Sequence, residues 1–145
     1  MVFLLLIPVI PMALSDFRHR KIPLWSLLLF FAVSLPVSAR LYDWTAVANN
    51  ILSNLLLLFY LGAGIWLYLL IRCRGFIDPF KRHIGLGDFL FMLASTPLFG
   101  PKDFLVFLLS SMLGGLLWWA LSGRKKSIPL VGVLGITLGI YLIAL

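Results

Sequence analysis

Six runs of apolar residues, separated by short stretches that hold nearly all of the charge, constrain this chain more than any other feature. The runs cover residues 2–14, 24–39, 46–71, 85–99, 104–121 and 128–144. Hydrophobic residues make up 62% of the 145-residue chain, against roughly 45–50% in a soluble domain, and the mean hydropathy is +1.09. The expected fold is an all-α membrane protein, a bundle of six transmembrane helices forming one domain over residues 1–145. The first run is short of the ~20 residues of a span. It is expected to run on to Phe17, with kinks at Pro8 and Pro11. The opening Met1-Val2-Phe3-Leu4 lacks the positive region of a cleavable signal peptide and reads as a retained first helix.

The net charge of +7 would suggest nucleic acid as a partner of a soluble protein. Here the basic residues sit in clusters between apolar runs, where they face anionic lipid and fix orientation, and no nucleic-acid partner is expected. If successive spans alternate in direction, one side receives Arg18, Arg20, Lys21, Arg72, Arg74, Lys81, Arg82, Arg124, Lys125 and Lys126, and the other only Arg40 and Lys102. That asymmetry puts the first group in the cytoplasm and both termini outside. Trp25, Trp118 and Trp119 then fall near the inner interface and Trp44 near the outer one, as aromatic belts do. The connector 72–84, with Phe76, Ile77 and Phe80 around an Asp78-Pro79 turn, is suited to lying in the interface. Asn50 and Asn54 are one helical turn apart and should share a face turned into the bundle. Small residues at Ser110, Ser111, Gly114 and Gly115, and the Gly135–Gly139 GxxxG pair, read as close helix packing.

The chain has five acidic residues, all Asp. Asp43, Asp78 and Asp103 read as solvated or turn residues. Asp16 and Asp88 are different, because each stands at the end of an apolar run, where an acid is costly and needs a reason. Taken singly, Asp88 could be a helix N-cap and Asp16 a counter-charge to Arg18 and Arg20. Taken together, they reach the same cytoplasmic edge from different helices, which suits metal-free peptide hydrolysis. That chemistry needs a base to activate water and an acid to protonate the amide, and two carboxylates sharing one proton supply both. Gly85 and Gly87, just ahead of Asp88, would let a substrate backbone approach and would loosen the helix start. Other chemistries lack their signatures: the chain has no HExxH, Walker loop or Gly-x-Ser-x-Gly. The serines in the apolar runs lack a nearby basic partner in sequence. His19, His83 and the single Cys73 lack metal-ligand spacing, so neither a metal nor any other cofactor is expected.

These residues resemble the type IV prepilin peptidase family. Asp16-Phe17-Arg18-His19-Arg20-Lys21-Ile22-Pro23 is similar to its motif of an Asp followed by basic residues and Ile-Pro, and Gly85-Leu86-Gly87-Asp88 to its GxGD motif. Lys126-Ser127-Ile128-Pro129-Leu130 resembles the Ile-Pro-Phe element that opens the family's last helix. The resemblance implies an aspartyl endopeptidase of the inner membrane. It would cleave the basic leader of prepilins or pseudopilins, usually after a Gly, in type IV pilus assembly or protein secretion. Asp16 and Asp88 carry over as the catalytic pair, with Gly85, Gly87, Pro23 and Pro129 in support. Two departures are evident. Leu90 stands where the family often has Lys, and the last element continues Leu130-Val131-Gly132-Val133 with no second proline. The cysteine-rich loop of the larger, methyltransferase-bearing members is missing, so peptidase activity alone is implied, as in the compact enzymes of tight-adherence pili, conjugative pili and archaeal preflagellins. Because prepilin leaders are basic, the basic loops are expected to hold anionic lipid while the acids face the leader.

Two other readings fit acids in apolar segments. A presenilin-like GxGD protease would pair the motif with Tyr-Asp and Pro-Ala-Leu elements, which do not accompany it here. A non-enzymatic carrier or assembly subunit would use the acids as helix caps or cation ligands. Oligomeric state is not legible in the sequence.

Overall fold

The structure, a computed structural model, describes residues 2–19, 21–73, 85–122 and 128–144. The described residues are helical, with no strand among them. A 3-10 turn at Val2–Leu5 leads into α1, Leu6–His19; α2 is Leu24–Leu41 and α3 is Trp44–Cys73. Then come α4, Leu86–Ser95, with a 3-10 turn at Thr96–Leu98, α5, Pro101–Leu121, and α6, Leu130–Ala144. Three of these helices are long and apolar enough to cross a membrane: Leu24–Leu41, Trp44–Arg72 and Pro101–Leu121. Leu86–Leu98 and Leu130–Ile143 are shorter apolar helices, and α1 has 14 residues. The connector expected to lie in the interface, apart from Arg72 and Cys73 at the end of α3, and the cluster Arg124-Lys125-Lys126 fall outside the described residues.

Local chemistry sets the boundaries. Pro23 stands at the N-cap of α2 with φ −67°, its carbonyl accepting the N–H of Ser26 and Leu27. Pro129 stands immediately before α6, its carbonyl accepting the N–H of Val133 at 3.0 Å. Proline suits a helix entrance because its φ is already helical and its missing N–H would have no partner there. At the other end of the molecule, Gly100-Pro101 stops one helix and starts the next.

The helices close on an aromatic core. Phe30 stacks on Phe91 at 4.8 Å, and Phe99 stacks on Phe107 at 4.9 Å and meets the edge of Tyr141 at 4.8 Å. α6 runs antiparallel to α1 along a glycine stripe. Gly139 faces Leu6, Gly135 faces Val9 and Ala13, and Gly132 faces Phe17. A β-carbon on Gly135 would come within 3.0 Å of Val9 Cγ1, so the GxxxG pair does bring backbones close, with α1 as its partner.

The paired asparagines of α3 are both buried, whereas Asn49 is exposed. Asn54 has a more specific task than joining helices. Its Nδ2 donates to the carbonyls of Thr96 and Phe99, both at 2.8 Å. These carbonyls lie where α4 ends, and a helix end leaves its last carbonyls without intrahelical donors. In an apolar surrounding they need a side chain, and Asn54 supplies it. Asn54→Leu is therefore expected to destabilise the fold by about 2 kcal/mol. Thermal unfolding in detergent checks this, with the exposed Asn49→Leu leaving the midpoint almost unchanged.

Candidate active site

Asp16 lies on the last turn of α1 and is only 6% exposed. Its Oδ2 accepts the backbone N–H of Gly132, in the first turn of α6, at 2.9 Å. The first N–H groups of a helix have no acceptor within it, and the helix dipole is positive at that end, so both effects favour a carboxylate there. Among the described residues Asp16 forms no ion pair, and Arg18 is exposed, so a counter-charge role toward Arg18 is not what the structure shows. The segment after Asp16 is folded back by Ser15, whose hydroxyl donates to the carbonyl of Lys21 at 2.6 Å. That turn brings Ile22 over the site.

Asp88 lies in the first turn of α4, whose N-cap is Gly85 rather than Asp88 itself. The carboxylate bends back over Gly85, and its Oδ2 would stand 2.7 Å from a β-carbon on that residue. The N–H groups of Gly85 and Val131 act electrostatically on it, and so does the charge of Asp16. The start of α6 thus addresses both acids with successive residues, Val131 toward Asp88 and Gly132 toward Asp16.

Both carboxylates line one cavity of about 400 Å³. Its other walls are Ile22, Leu24 and Leu27 from the start of α2, Gly85, Leu86, Gly87 and Leu90 from α4, and Ile128 from the approach to α6. All three elements named in the sequence therefore meet here. Leu90, at the position of the family's frequent Lys, adds an apolar wall. Pro23 and Pro129 are not in the lining but fix the entrances of α2 and α6 beside it. Among the described residues no three His, Cys or Asp side chains converge on a point, so the site offers two carboxylates and backbone N–H groups.

Both glycines line the cavity, and each has a packing task as well. Gly85 has φ −65°, an ordinary value for any residue, so its backbone freedom is not used. What matters is space. The volume beside Gly85 is taken by the Asp88 carboxylate, and a β-carbon on Gly87 would collide with Ile22 Cδ1. The missing side chains are filled by the protein's own groups, which draws Asp88 and the Ile22-Pro23 turn together.

Two residues carried no mark of a role in the sequence: Gly132 and Val131 merely stand after Ile-Pro. Asp103, read as solvated, is exposed, and it acts electrostatically on the Tyr141 hydroxyl across the bundle from the cavity.

A model of the type IV leader peptidase family matches residues 3–120, a stretch that includes both acids and stops before α6. No curated protein and no solved structure gives a significant match. With Asp16 and Asp88 inside the matched stretch, and three of its helices long and apolar enough to cross a membrane, the chain belongs to the type IV leader peptidase family.

Proposed function

We propose that the protein is a prepilin-type aspartyl endopeptidase of the inner membrane. Asp16 and Asp88 together would cleave the leader of prepilin or pseudopilin substrates at the cytoplasmic face. The observation that carries this reading is the convergence of two carboxylates from α1 and α4 on one cavity. The pair acts on a water held between them. One carboxylate takes a proton from the water as its oxygen attacks the scissile carbonyl. The other, protonated, hydrogen-bonds the carbonyl oxygen, and a proton passes to the leaving amine as the C–N bond breaks. Two carboxylates that share one proton act as a unit, so these roles belong to the pair rather than to either residue.

The dimensions of α4 support an intramembrane location. Leu86–Leu98 rises only ~20 Å, against a hydrocarbon core of ~30 Å. With its far end near the outer interface, its first turn is sunk below the inner surface, and Asp88 with it. Scissile peptides must be extended to be attacked, and a recessed polar cavity shelters their freed backbone groups. The arrangement we favour has six spans, the basic clusters inside against anionic lipid and both termini outside.

Asp16→Asn and Asp88→Asn are each expected to lower leader cleavage by about 10²–10⁴-fold while the protein still accumulates in the membrane. Processing of a co-expressed prepilin, followed by its shift on a gel, checks this, and full processing by either variant rejects the dyad. For the topology, single cysteines are introduced in a Cys73→Ser background. Lys102→Cys should react with an impermeant maleimide in spheroplasts, and Arg18→Cys only after permeabilisation. Labelling of both from one side rejects the six-span arrangement.

A further inference from the structure

Gly132 holds its N–H against Asp16 only because α6 approaches α1 without a side chain in between. The N–H to Oδ2 distance is 2.9 Å. A β-carbon on Gly132 would come within 2.6 to 3.0 Å of three ring atoms of Phe17, the residue next to Asp16. The ring meets Trp118 of α5 at a centroid distance of 5.1 Å, and both rings line a cavity of about 590 Å³ between α5 and α6. The helix start cannot easily retreat toward α5. A β-carbon on Gly115 would already lie 3.1 Å from Ile128 Cγ2, and one on Gly114 2.9 Å from Val133 Cγ1. The first turn of α6 thus approaches both α1 and α5 closely, with the Asp16 carboxylate at its tip.

We infer that Gly132 is a positioning residue for the proposed dyad: its backbone N–H holds the Asp16 carboxylate in place, and its lack of a side chain is what lets that N–H reach it past Phe17. This inference rests on the dyad reading and adds to it a third segment, outside the stretch that matches the family model. The chain depends here on an N–H that proline would lack, and no proline follows Pro129 in the first turn of α6. Misplacing a reacting group by about 1 Å can cost on the order of 10²-fold in rate. The effect should appear in kcat, because Gly132 donates to Asp16 and is not among the residues lining the cavity.

The test uses the full chain in detergent and a fluorogenic peptide spanning a prepilin leader junction. Gly132→Ala is expected to lower kcat about 10–100-fold with KM within about twofold of the parent. Removing the obstructing ring should reverse this, so Phe17→Ala/Gly132→Ala should return to within about threefold of Phe17→Ala alone. Phe17→Ala/Gly132→Pro also lacks the obstructing ring but has no N–H at this position, and it should remain as slow as Gly132→Ala. A purely packing role for Gly132 predicts equal rates for the two double variants, and that result overturns the inference. So does parental kcat in Gly132→Ala, or failure of the double alanine variant to recover. If Gly132→Ala does not accumulate, the two double variants still decide, since neither carries the ring that a β-carbon at this position would strike. Parental activity in Asp16→Asn or Asp88→Asn would reject the dyad itself. Inactive Asp variants beside a fully active Gly132→Ala would reject only the role of Gly132.

Discussion

One end of this bundle depends on how one buried carboxylate is accommodated. Asp16 sits among apolar side chains, where an ionised carboxylate without a partner is costly by several kcal/mol. Among the described residues the partner it has is a backbone N–H at the start of α6. That choice ties the acid to the packing of a whole helix. α6 must pass close to α1 and α5 at once, and it does so over glycines on both sides, Gly132 and Gly135 against α1, Gly114 and Gly115 from α5. Residues without functional groups therefore set the position of this carboxylate.

The arrangement around Asp88 occurs twice. α4 begins with Gly85 at the N-cap and Asp88 in the first turn, and α5 begins with Gly100 at the N-cap and Asp103 in the first turn. In both, an acid at the third helical position lies near the orphan N–H groups of its own helix. The local device is structural and says nothing of catalysis. What distinguishes the two is the other side of each carboxylate. Asp103 is exposed and acts electrostatically on the Tyr141 hydroxyl, whereas Asp88 opens on a cavity shared with a second acid. A GxGD motif is thus a helix start first, and becomes a candidate site only through what the rest of the fold sets opposite it.

A short α4 creates a second problem, which α3 solves. Ending a helix within an apolar bundle strands carbonyls that water cannot reach. Asn54, fully buried on α3, donates to two of them. The acid at one end of α4 and the asparagine at the other both belong to a short helix of the bundle, Leu86–Leu98 with its 3-10 turn.

Element order and approximate boundaries were legible in the sequence, because each apolar run is closed by charge, Pro or Gly, and these act locally. The two unusual acids were legible for the same reason, since an acid at the edge of an apolar run stands out without any neighbour being known. The inward face of Asn50 and Asn54 followed from helical spacing alone. Partners were not legible. Gly132 and Asp16 are 116 positions apart, and Asn54 lies 42 and 45 positions from the carbonyls it serves. Nor could the sequence tell that the space beside Gly85 and Gly87 is filled by Asp88 and Ile22. The sequence by itself determined which residues are costly to bury. Only the tertiary structure decided what each is buried against, because hydrogen bonds and steric contacts act over a few ångströms in space and carry no trace along the chain.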